Sequence, residues 1–158
     1  MNRRTLILAL GGLSLAPLLS CSPASLFRRT SLGRYVSEVR EPLTRFASWA
    51  EEVLAFYRQT LSLQTIGDVC SEGTPRELLA EGETIVAQLS AIDPPSALAP
   101  AHEGVVKAGE GIVANLREVH TLLCESKDLE AAKRAAEQAG ADVGQLLEQI
   151  ESLRSGLE

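Results

Sequence analysis

The sequence predicts an all-α protein, an antiparallel up-down-up-down four-helix bundle that follows a cleaved N-terminal signal. Apolar residues recur at alternating spacings of three and four along four stretches, which is a helical and not a strand period. Short connections join those stretches, and a short connection leaves the next helix little choice but to return beside the last. In that topology the first and third connections share an end, and Cys70 falls in the first while Cys124 falls at the edge of the third.

Residues 1–20 come first and are read as an export signal outside the fold. Arg3 and Arg4 supply a positive start, and residues 6–19 are apolar and uncharged. That run is about 14 residues, broken by Gly11, Gly12 and Pro17, against about 20 for a membrane-spanning helix. Its ending, Leu18, Leu19, Ser20 and Cys21, resembles the lipobox of bacterial lipoproteins. The resemblance implies cleavage before Cys21, a diacylglyceryl group on its thiol, and further acylation, such as palmitate, on the freed amine. Two or more chains hold a protein stably on a membrane, so the implied location is extracytoplasmic and membrane-anchored. Ser22 stands where that family's inner-membrane retention signal has Asp. The outer membrane is therefore implied for a diderm, and the outer face of the cell membrane for a monoderm. Asn2 to Ile7, with Arg3 and Arg4, also resembles a twin-arginine export signal, so both export routes stay open.

Residues 21–30 are read as a lipid-anchored tether, with Ser22, Pro23, Ala24 and Ser25 as a short spacer. Removing Arg3 and Arg4 with the signal leaves 13 basic against 21 acidic groups, a net charge of −8. The anchor end is the basic part: Arg28, Arg29, Arg34, Arg40 and Arg45 face only Glu38 and Glu41 up to residue 45. Such a cluster is either a solvated linker or a contact with anionic headgroups. The acidic body excludes a nucleic-acid surface, and 45% hydrophobic residues suffice for a core.

Residues 31–158 are read as one bundle domain. The first helix, over 31–63, carries Val36, Val39, Leu43, Phe46, Ala50, Val53 and Tyr57 on one seam, widened by Trp49, Leu54, Phe56 and Leu61. Pro42 should kink it or mark a restart. The second opens on Thr74, Pro75, Arg76 and Glu77 as a capping box with Pro at its first position. Its apolar face is Leu78, Leu79, Ile85, Val86 and Leu89, and it ends before Asp93, Pro94 and Pro95. The third, over 97–124, runs through Leu98, His102, Val105, Gly109, Ile112, Leu116, Val119 and Leu123. The fourth, over 128–157, repeats Leu129, Ala132, Ala136, Ala139, Val143, Leu146, Ile150, Leu153 and Leu157.

With Cys21 spent on lipid, Cys70 and Cys124 form an even pair in a disulfide-permissive compartment and are expected to bridge. One tension remains: the second helix is about 26 Å long and the third about 42 Å. Either Cys70 reaches along an extended stretch or the second helix starts early.

No catalytic residues and no metal or cofactor site are read from the chain, and no enzyme is expected. His102 and His120 lie about 27 Å apart on one helix and cannot share a metal. His120 is read as a flank residue. No Glu-x-x-His pair, Cys-x-x-Cys-His, phosphate loop or nucleophile elbow is present. Gly104, Gly109, Gly111, Gly140 and Gly144 each cost about 1 kcal/mol in a helix, so close packing or a cavity should compensate. The cavity reading is an apolar pocket lined by Phe46, Trp49, Tyr57 and His102. The stretch from Ile92 to His102 resembles small uncharacterised helical-bundle lipoproteins of bacteria, a likeness that supplies no activity. The expected role is a structural or protein-interaction module of the envelope, with an envelope protein as partner; the alternative is a bundle binding a small apolar ligand or cofactor in its core.

Overall fold

The seams read above set the helices of the computed structural model, which describes residues 31–66, 69–70 and 73–157. The expectations for residues 1–30, lipidation of Cys21 included, lie outside those residues.

The first helix, α1 (Ser31–Ser62), is continuous through Pro42. Proline has no N–H to offer the Glu38 carbonyl, yet no restart interrupts the helix, because the buried face on either side of it holds register. Val36, Val39, Leu43, Phe46, Trp49, Ala50, Val53, Phe56 and Tyr57 are all buried. Leu61 departs from expectation: it is 42% exposed. The inward position of that last turn belongs to Thr60, whose hydroxyl donates to the Phe56 carbonyl at 3.0 Å.

The second helix, α2 (Thr74–Ser90), starts where the sequence suggests but without the capping box. Gly73 caps it instead, at φ 78, a left-handed conformation that favours glycine. The Gly73 carbonyl accepts from the N–H groups of Arg76 and Glu77 at 3.0 and 3.1 Å. Glu77 remains useful in the first turn, where a carboxylate opposes the positive end of the helix dipole.

The third helix, α3 (Ala99–His120), begins two residues later than expected and passes directly into a π-helical turn, Thr121–Glu125. The Thr121 carbonyl accepts from Ser126 N–H at 2.9 Å, the longer step that widens a π turn. Lys127, at φ 55, ends the run. The fourth helix, α4 (Leu129–Ser155), is capped by Asp128, whose carboxylate accepts from Ala131 N–H at 2.9 Å. Its seam is buried from Ala132 to Leu153, and Leu129 and Leu157 at the ends are half-buried.

The protein is therefore all-helical, with four α-helices and no strand among the described residues. Helix α1 packs against α2 and α4, and α3 packs against the same two. The sulfurs of Cys70 and Cys124 are at bonding distance, 2.00 Å, with Cα atoms 5.5 Å apart. Cys70 lies in a turn ahead of α2, so the α1–α2 connection does the reaching and α2 does not start early. None of the helices in the described residues is long and apolar enough to cross a membrane.

Candidate functional site

The four residues expected to line one pocket do different work. Phe46 and Trp49 stack, with centroids 5.5 Å apart and planes 21° apart. The Trp49 ring lies over Gly82 of α2, where an added Cβ would sit 2.3 Å from its Cζ2. Its indole N–H donates to the Leu78 carbonyl at 2.7 Å, so the polar tip is satisfied inside the core. Phe46 fills the matching space over Gly109 of α3, where a Cβ would fall 2.3 Å from Cζ and 3.0 Å from Val86 Cγ2. The glycine spaces at these two points are occupied by the aromatics of α1, so Phe46 and Trp49 are core.

Tyr57 is also core, 1% exposed, but its hydroxyl has no hydrogen-bond partner among the described residues. Burial pushes its pKa well above the tyrosine range, and the charge of Asp142 adds to the effect. A buried donor left unpaired costs about 1–3 kcal/mol. Replacing it in Tyr57→Phe is expected to raise stability by about 1 kcal/mol in urea unfolding at neutral pH. The pH sign is fixed by the raised pKa: stability is full below about pH 10, then falls as the unfolded chain ionises its tyrosine first. Tyr57→Phe should therefore flatten the alkaline loss above about pH 10. Tyr35, whose pKa burial also raises, leaves a residual slope.

His102 is buried and doubly engaged. Its Nε2 lies 3.1 Å from the Leu89 carbonyl, which can only accept, so Nε2 carries a proton. Its Nδ1 lies 2.9 Å from the Tyr35 hydroxyl and accepts from it. The two rings meet edge-on at 5.6 Å. The Leu89 carbonyl is near the end of α2, so His102 ties the first turn of α3 to that helix end. Tyr35 itself was not singled out, although its four-residue spacing to Val39 and Leu43 marked it as a seam position. Tyr35→Phe strips Nδ1 of its donor and is expected to cost about 1–3 kcal/mol, measured by denaturant unfolding.

Of the four residues, His102 alone borders an open groove of about 580 Å³, walled by Ile92, Asp93 and Pro94 on one side and Glu103 and Val106 on the other. His120 is not the flank residue expected: it is 9% exposed. The eighteen residues from His102 make five full turns and return it to the inward face.

The helix surfaces are laced by exposed pairs. Arg45 reaches Glu81 at 3.5 Å and Gln88 at 3.3 Å, joining α1 to α2, and Arg117 meets Glu83 at 2.6 Å, joining α3 to α2. A second space, of about 350 Å³, lies between α1 and α4 and is lined by Val36, Arg40, Leu43, Thr44, Arg154 and Leu157. Among the described residues no three His, Cys, Asp or Glu side chains are grouped to hold a metal ion. In comparisons with known proteins the chain matches no family model, no curated protein and no solved structure.

Proposed function

We propose that the chain is an extracytoplasmic lipoprotein, held to a membrane through Cys21, whose bundle serves as a structural or protein-interaction module of the bacterial envelope. The observation that carries this reading is the Cys70–Cys124 pair at bonding distance. Disulfides persist in oxidising compartments and are rare in the cytosol, so the bridge agrees with the export signal read in residues 1–20. An envelope protein is the expected partner.

The helices run up-down-up-down in this proposal. Two links support that order: Tyr35 near the start of α1 bonds His102 near the start of α3, and Cys70 in the α1–α2 connection bonds Cys124 just past the α-helical part of α3. With α2 and α4 each packed against both, antiparallel neighbours satisfy every link and every short connection.

Intact mass measurement of the protein purified from its native membrane tests the proposal. The expected mass begins at Cys21, includes acyl chains, and gains two hydrogens on reduction. A mass that begins at Met1, or at Cys21 without acyl groups, overturns the anchor. A second reading, a bundle that binds a small ligand, draws on the groove beside His102, whose volume of about 580 Å³ lies within the range of small-molecule sites. It moves the ligand from the core to the surface.

A further inference from the structure

Resting on the proposed attachment at Cys21, we propose that the groove between α1 and α4 docks the bundle onto anionic phospholipid headgroups, with Arg40 and Arg154 as the two contacts.

Arg40 and Arg154 are far apart in sequence and are brought to one groove by the packing of α1 on α4. Among the described residues no carboxylate lines that groove. Elsewhere the arginines that span two helices meet an acid: Arg45 meets Glu81 and Arg117 meets Glu83. Arg40 has no ion pair among the described residues. Arg154 has, among the described residues, Glu151, one turn back on its own helix, at 3.7 Å, with the two side chains 48% and 72% exposed. Such a pair is screened and weak, and it leaves the guanidinium free to turn to a better anion. Two guanidinium groups, one without an ion pair among the described residues and one with a screened local pair, therefore share a groove on a body whose mature net charge is −8.

The chemistry that fits is a phosphate diester. Guanidinium groups bind phosphate oxygens through paired N–H donors, and one phosphate between two of them relieves their mutual repulsion. The floor of the groove, Val36, Leu43 and Leu157, is apolar and suits the glycerol and upper acyl carbons that a lipid brings with its phosphate. The Thr44 hydroxyl is turned to the Arg40 carbonyl at 2.9 Å, so the arginines are the recognising groups.

Position favours a lipid surface over a free anion. Ser31, where α1 begins, is ten residues from Cys21, a reach of at most about 35 Å when extended. Arg40 is a further nine residues on, about 14 Å along the axis. Arg154 is in the last turn of α4. The groove thus lies toward the end of the bundle that the tether holds near the leaflet. The arginine cluster legible in the sequence divides accordingly: Arg45 is spent on α2, whereas Arg40 gains Arg154 as a neighbour.

The test uses lipidated mature protein in nanodiscs of phosphatidylcholine alone, or of equal parts phosphatidylcholine and phosphatidylglycerol. Phenylglyoxal labels accessible guanidinium groups, and peptide mass spectrometry reads each arginine separately. Arg40 and Arg154 should label about fivefold more slowly on the anionic discs, the occupancy expected for each basic group held at such a surface. Arg58 and Arg134, toward the other end, should label at the same rate on both. Arg40→Gln, an exposed change, should return Arg154 to its phosphatidylcholine rate. Equal slowing of all arginines, or of none, overturns the proposal. So does full protection by inorganic phosphate on phosphatidylcholine discs, which would make the groove a free-phosphate site. Intact mass of the same sample reports the anchor independently. If Cys21 carries no lipid, sedimentation of the unlipidated chain with the same anionic vesicles tests the groove alone. Binding that needs both arginines supports it, and no binding overturns it.

Discussion

Gly82→Ala and Gly109→Ala are each expected to destabilise the protein by about 2 kcal/mol or more, although alanine is the better helix former by about 1 kcal/mol. The reason is contact geometry. At Gly82 the new methyl group would meet Trp49 Cζ2 at 2.3 Å and Cε2 at 2.7 Å. Trp49 cannot retreat: it is 1% exposed, its ring stacks on Phe46, and its N–H is fixed on the Leu78 carbonyl. At Gly109 the methyl group would meet Phe46 Cζ at 2.3 Å with Val86 Cγ2 behind it at 3.0 Å. Phe46 stacks on Trp49, so the two substitutions press on one aromatic pair, and their costs should not add. The control lies in α3 and α4. At Gly104, Gly111 and Gly144 a Cβ meets nothing within 4 Å. Alanine there should stabilise by about 0.5–1 kcal/mol through propensity and reduced unfolded-state freedom. Urea unfolding of the five variants checks the split; a uniform gain across all five would mean the aromatics of α1 are not seated as described.

Opening the Cys70–Cys124 bridge is the second large effect. A bridge with a sequence separation of 54 removes enough freedom from the unfolded chain to stabilise by about 4 kcal/mol on the loop-entropy account. The Cys70→Ser, Cys124→Ser double variant should lose about that much, and reductant should bring the parent protein to the same midpoint without moving the double variant. Both cysteines are half-buried and pack against the core. A reduced parent that keeps its midpoint would show that the packing of α1 through α4 suffices alone.

The seam of α4 could be read straight from the chain, because a single strict period with alanines and leucines has one way to face a core. The same holds for the even cysteine pair, since neighbouring loops of a bundle bring it together. Capping was less legible. The Thr74 to Glu77 pattern fits a capping box, but Gly73 can adopt a left-handed φ that no pattern displays, and it takes the cap first. The aromatic seats were half visible. Gly109 stood out on its seam, whereas Gly82, four residues after Leu78 and three before Ile85, passed as an ordinary interruption. Its spacing marked it as an inward position without a side chain, which is the signal for a large partner from another helix. Phe46, Trp49, Tyr57 and His102 looked like one pocket because each is large, inward and singular in type. Whether such residues enclose space or fill it depends on what faces them, and that is settled by helices distant in sequence. The groove of Arg40 and Arg154 was hidden for the same reason: one half of it lies at the far end of the chain.

The bridge from the α1–α2 connection to the π-helical turn also alters what a broken backbone means. It encloses the whole of α2 and α3, so a protease that cuts once between residues 71 and 123 leaves two pieces still covalently joined. The turn at Pro94 and Pro95, flanked by the exposed Asp93 and Ser96, falls inside that span. A cut at 126–128 instead frees α4 from everything but its packing. Nicked protein should therefore migrate as two chains only after reduction in the first case, and without reduction in the second.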